Sequence, residues 1–152
     1  MPDVDLPTPH AAVRDLLSTR GIVPALAMLN DRTSFRYTAI YKLNGDVMHA
    51  AHAFDRESEY RTWLKVVPLG KSFCQHAVEH GEFVTSHASK DQRLTNRPYG
   101  SMVESYYGRL LTRECGKPYG TFIHFDLEPR SIEEEEQEFL RDLVPLFGEH
   151  LD

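Results

Sequence analysis

Residues Gly116–Leu143, GKPYGTFIHFDLEPRSIEEEEQEFLRDL, change character in the middle. Tyr119–Asp126 is rich in aromatic and β-branched side chains and predicts a strand. Beyond it, Ser131 with Glu134 three residues on reads as a capping box, and the Glu133–Glu136 run falls in the positive first turn of a helix. Phe139, Leu140, Leu143, Val144 and Phe147 then recur at helical spacing, and Pro145 should kink or break the helix near its end. The acidic run is therefore read as helix-terminus chemistry, not as a metal or partner site.

Working back from this strand and helix, Glu104–Thr112 is a second strand, joined to the first by the turn RECGKPYG. Residues 88–101 have loop composition, Glu82–Ser86 is a short strand, and Lys71–Glu79 is a helix ending near Gly81. RESEYRTWLKVV, Arg56–Val67, predicts a short helix stopped by Pro68. Phe35–Leu43 and Asp46–Phe54 are strands linked by the hairpin signal Asn44-Gly45. Thr8 and Pro9 read as an N-cap and first helical residue. The helix they open, about His10–Ser18, carries Ala12, Val13, Leu16 and Leu17 on one face, and the apolar segment IVPALAML follows to Leu29. The expected fold is α+β: an antiparallel sheet of five to six strands, terminal helices on one face, short helices and a loop over a ligand cavity on the other. One domain spans residues 1–152, with amino-terminal helices at 9–30, sheet and pocket at 35–127 and the carboxy-terminal helix at 131–151.

Composition narrows the function. The 152 residues are 41% hydrophobic and 26% charged, ordinary for a soluble globular protein. A formal net charge of −6, with Lys and Arg scattered, argues against nucleic acid as a partner. No apolar run approaches the roughly 20 residues of a membrane span, and the acidic start MPDVDLPTPH is no secretory signal, so the expected location is cytoplasmic. Cys74 and Cys115 are too few and too far apart for a zinc site or a disulfide framework.

Three segments together resemble the GAF domain of bacterial sensor and signalling proteins. SFCQHAV (Ser72–Val78) resembles the family's Ser-Phe-Cys helix, SKDQRLTNRP (Ser89–Pro98) its Asp-x-Arg loop, and Gly116–Leu143 its Gly-Thr strand, Pro-Arg ending and final helix. The resemblance implies a ligand cavity on one sheet face, dimerisation through terminal helices, and sensing of a small molecule on behalf of an effector protein. No effector sequence accompanies the domain, so a stand-alone protein or an excised domain is expected. In the strand Ser105–Leu111, Tyr107 and Arg109 stand where the family carries small residues, two apart and on one sheet face.

The candidate ligand-binding set is Ser72, Phe73, Asp91, Arg93, Asn96, Tyr99, Tyr107, Arg109, Thr121 and His124. Convergent polar groups in an apolar cleft are what a small-ligand site needs. Arg109 is expected to point toward residues 88–101 and to pair with Asp91 or an anionic ligand, because an unpaired buried charge is costly. Against this stands the plainer reading that Asp91 and Arg93 form a loop-fixing ion pair.

No catalytic residue is assigned. Cys74 and His76 are two apart on a helix and point away from one another, so Cys74 is read as a packing residue. Free methionine sulfoxide reductases resemble this fold but use cysteines in the pocket loop, and residues 88–101 contain none. His76 and His80 are spaced i, i+4 but lack a clear third ligand. The cysteine that a bilin requires and the signature for a cyclic nucleotide are both missing, so no cofactor is expected. The leading reading is a non-catalytic domain that senses an unknown small molecule. The alternative is a ligand-free dimerisation module. A homodimer is expected through residues near Val13, Leu17, Phe139 and Leu143.

Overall fold

The computed structural model describes residues 8–57, 73–93 and 103–151, and the backbone of 66–68. In chain order the elements are α1 (Pro9–Thr19), α2 (Ile22–Asp31), β1 (Tyr37–Asn44), β2 (Val47–Asp55), β3 (Val66–Pro68), α3 (Cys74–His80), β4 (Glu82–Thr85), β5 (Ser105–Thr112), β6 (Pro118–Asp126) and α4 (Glu134–Leu143). Short 3₁₀ segments cover Ala88–Lys90 and Val144–His150. The strands form one sheet of order β3-β2-β1-β6-β5-β4, antiparallel at every pairing. This is the expected α+β architecture.

Local chemistry accounts for the element ends. Thr8 Oγ1 accepts a hydrogen bond from the Ala11 amide at 3.1 Å, and Pro9 supplies the first helical residue of α1. Asn44 pairs with Val47, so Gly45 and Asp46 make the hairpin turn, with Gly45 at φ 68°. Gly120 must be glycine for a different reason: a Cβ there would run into the Tyr41 carbonyl of the neighbouring strand.

Two local expectations are corrected. Val66–Pro68, expected to end a helix, forms an edge strand paired with Val47–His49; β-branched Val66 and Val67 suit a strand, and an edge tolerates Pro68. Residues 58–65 of that expected helix lie outside the described residues. Ser131 does not cap α4: the N-cap is Glu133, with no side-chain capping bond, and Glu134, Glu135 and Glu136 occupy the first turn. The Gln137 side chain donates instead to the Ile132 carbonyl at 3.2 Å. Pro145 behaves as expected, since α4 stops at Leu143 and a 3₁₀ segment follows.

Each sheet face carries its own core. On one, Val13, Leu17, Leu26, Leu29, Ile40, Tyr107, Leu111, Phe122, Leu140, Leu143 and Phe147 gather beneath α1, α2, α4 and the last 3₁₀ segment. On the other, Tyr37, Ala39, Tyr41, Met48, Ile123, Phe125, Tyr106 and Phe83 meet Phe73, Cys74 and Ala77 of α3. The helices at the two ends of the chain thus share one face and α3 takes the other.

The packing also removes the argument for the expected dimer interface. Val13, Leu17 and Leu143 are 0%, 4% and 0% exposed inside a single chain. Phe139 is covered by the Arg32 guanidinium, 3.9 Å from its ring centre, and by the edge of the His10 ring. The stripes are consumed because α1 packs on α2 and the final 3₁₀ segment as a further layer. Val23 is the one exposed large hydrophobic residue among those described.

Candidate functional site

Strand alternation decides which candidate side chains meet. On β5, Tyr106 faces α3, so Tyr107 and Arg109 face the terminal helices; on β6, Thr121 and Ile123 face α3, so Phe122 and His124 face the terminal helices. Phe73, Asp91, Arg93 and Thr121 therefore lie on the α3 side, while Tyr107, Arg109 and His124 do not. Ser72, Asn96 and Tyr99 lie outside the described residues.

The α3 face is aromatic with a polar centre. Cys74, buried at the first turn of α3, has its Sγ 3.2 Å from the Tyr106 hydroxyl and 3.3 Å from the Thr121 hydroxyl, and both can donate to it. Tyr41 lies in the same cluster. Burial, reinforced by the nearby Cys74 sulfur, holds the Tyr41 and Tyr106 hydroxyls protonated far above the usual tyrosine range. Tyr37 stacks on Phe125 at 4.6 Å, and Phe73 meets the Tyr106 ring edge-on at 5.5 Å. Gly108 makes room for the Tyr106 ring, which a Cβ at that position would strike.

Phe83 of β4 organises the rim. The His76 ring stacks on it at 4.5 Å, and the Arg93 guanidinium lies 4.5 Å from its centre. Arg93 donates through Nε to Asp91 Oδ1 at 2.9 Å and through Nη2 to the Val84 carbonyl at 2.6 Å. Hydrogen bonds from Arg93, helped by the Thr85 hydroxyl and outweighing burial, hold the Asp91 carboxyl well below the usual range. The plain reading of this pair is the one the geometry supports: Asp91 and Arg93 fix the turn after β4. His76 is stacked on Phe83, and His80 is exposed beside Glu79.

Arg109 is the clearest correction. It faces the terminal helices and binds Glu82 Oε2 at 3.3 Å, not Asp91. The same carboxylate accepts from the Tyr107 hydroxyl at 2.7 Å and from Arg141 of α4 at 3.0 Å, and Arg141 also binds Glu134 at 3.0 Å. Burial would raise the Glu82 pKa, but the bonds from Arg141 and Tyr107 and the charges of both arginines bring it below the usual value. The expected need of Arg109 for a carboxylate was sound; the partner comes from β4 on the other face.

His124 is likewise committed to structure. Asn30 Nδ2 donates to Thr38 Oγ1 at 2.9 Å, and Thr38 Oγ1 shares a 2.6 Å hydrogen bond with His124 Nδ1. Nε2 is buried and meets no hydrogen-bond partner among the described residues. Arg56 completes the network by donating to Asn30 Oδ1 at 3.0 Å. Burial, with the charge of Arg56 adding, pushes the His124 pKa down to about 3.

Sequence reasoning did not place Tyr41, Tyr106 or Glu82 in the candidate set, while its reading of Cys74 as a packing residue agrees with the buried position of that thiol. The pattern Tyr37-x-Ala39-x-Tyr41 offered a signal for Tyr41, because alternate residues of β1 share a face. The adjacent pair Tyr106-Tyr107 offered none, since one tyrosine had to face each way.

No protein-family model matches the sequence, and no curated protein matches it. Solved structures do. A structure of the GAF domain superposes with a TM-score of 0.73 at 11% identity, covering 95% of this chain and 85% of that one. The GAF domain of an Acinetobacter phosphoenolpyruvate-protein phosphotransferase gives 0.70 at 13% identity, over 92% and 88% of the two chains. Free methionine-R-sulfoxide reductase from Neisseria meningitidis, in complex with its substrate, gives 0.72 at 13% identity, over 91% and 83%. Among the described residues no helix is long and apolar enough to cross a membrane. Sheet order, the division of helices between the faces and these superpositions together identify the chain as a domain of the GAF fold.

Proposed function

We propose that the chain is a non-catalytic sensor domain that binds a small, neutral, planar molecule on the α3 face and relays its presence to an effector protein. One observation carries this reading: the Tyr106 and Thr121 hydroxyls converge on Cys74 inside an otherwise aromatic cluster buried between α3 and the sheet. Such a cluster sets ring faces beside a few hydrogen-bonding groups, the chemistry that a planar molecule entering between α3 and the sheet would use. The expectation of an anionic ligand is withdrawn, because Arg109 faces away and the rim cations Arg93 and Arg36 are paired with Asp91 and Asp55.

The GAF fold also houses the methionine-R-sulfoxide reductase named above, so catalysis is the rival reading. Two features favour binding. Residues 88–101 contain no cysteine, and the ring nearest Cys74 in sequence, His76, stacks on Phe83.

The reading is tested by mass spectrometry of compounds released when the purified protein is denatured, followed by a thermal-shift screen with neutral heteroaromatic compounds. A binder at a hundredfold excess over its Kd should raise Tm by roughly 8 °C. A protein that neither carries nor is stabilised by any such compound, or that turns over free methionine-R-sulfoxide with dithiothreitol as reductant, contradicts it.

A further inference from the structure

Strand β4 has only four residues and lies at the sheet edge. Two of them, side by side, are hubs on opposite faces. Phe83 gathers His76 of α3, Arg93 of the following turn and the Tyr106 ring of β5, whose centre is 6.2 Å away. Glu82 gathers Tyr107 and Arg109 of β5 and Arg141 of α4.

We infer that β4 is a coupling strand, in which Glu82 holds α4 to whatever position Phe83 takes on the ligand face. The inference rests on the binding role proposed for that face. Its physical basis is the stiffness of the link. Adjacent residues of a strand cannot move independently, because their side chains leave one backbone in opposite directions. The carboxylate is held from three sides, by the Tyr107 hydroxyl at 2.7 Å, Arg109 at 3.3 Å and Arg141 at 3.0 Å. At its other end α4 is tied to α2 by the Arg32–Glu136 pair at 2.8 Å. A shift of β4 therefore pulls one end of α4 while the other stays on α2, and the helix tilts instead of following the sheet as a block. Arg93, bound to the Val84 carbonyl, makes the turn after β4 part of the same lever.

Hydrogen–deuterium exchange, in the regime where local opening sets the rate, tests this without any ligand. Phe83→Leu and His76→Ala each disturb the ligand-face hub. Both should raise exchange across residues 134–143 about threefold or more while leaving α1 at its wild-type rate. In a Glu82→Gln background, the same substitutions should add nothing further in α4. The inference is overturned if neither variant changes α4, if both change α4 equally with and without Glu82, or if α1 and α4 rise together. Because no small molecule is added, a negative result here counts against the coupling alone. A failure to find a ligand leaves the exchange result intact.

Discussion

The two faces of the sheet bury comparable aromatic and aliphatic residues but finish them differently. Beneath the terminal helices the polar groups are joined to one another within the chain: His124 to Thr38 to Asn30 to Arg56, and Glu82 to Tyr107, Arg109 and Arg141. Four helical segments cover that side. Among the described residues, the α3 side is covered by one seven-residue helix, a short 3₁₀ turn and Val103, over tyrosines, a threonine and a thiol. The first face ties its polar groups to one another across elements, and the second is the face to which the proposed ligand site is assigned.

The largest effect that would break this comparison lies in the helix-side core. Phe122 is fully buried against Phe147 and His124. Phe122→Ala should cost about 4 kcal/mol, read as a lower urea midpoint at unchanged m-value. A loss under 1 kcal/mol would show that this side is loosely packed.

Next comes the pH response of the same side. The His124 pKa is about 3 in the folded chain and 6.5 as a free side chain, so only the unfolded state takes up this proton between those values. His124 therefore contributes stability that is complete above pH 6.5 and drains away as pH falls toward 3, by about 1.4 kcal/mol per pH unit. His124→Gln, whose amide can either donate to or accept from Thr38, should flatten the fall between pH 6 and 5 relative to wild type. Parallel curves for the two proteins would mean that His124 gains its proton within the folded state.

The smallest effect belongs to the α3 side. Tyr106→Phe removes the hydroxyl at Cys74 but keeps the ring against Phe73, and should cost about 1 kcal/mol. A loss as large as that of Phe122→Ala would erase the distinction between the faces.

Much of the fold could be read from the residues, and the site much less. Thr8-Pro9, Asn44-Gly45 and the apolar spacing of Phe139–Phe147 act locally, through caps, turns and helical periodicity, so their meaning does not depend on tertiary contacts. The site depends on strand phase, which alternation gives only when one face is polar. On β6, Thr121, Ile123 and Phe125 on one side and Phe122 and His124 on the other are all buried, so the sequence pattern carries no phase. β5 has the same difficulty at Tyr106-Tyr107. Arg109 shows the consequence: the demand of a partly buried guanidinium for a carboxylate is a local fact, while the choice between Asp91 and Glu82 turns on a single strand's phase. Val66–Pro68 failed for a related reason, since only pairing with Val47–His49 distinguishes a short edge strand from the end of a helix.

The most direct test of the division between the faces is an NMR titration of the assigned protein with neutral heteroaromatic fragments, following side-chain and amide shifts together. The account predicts that the largest changes fall on Tyr41, Cys74, Tyr106 and Thr121, with Tyr107, Arg109 and His124 little affected. Changes centred on Tyr107, Arg109 and Glu82 would place the binding surface under the terminal helices and contradict the account.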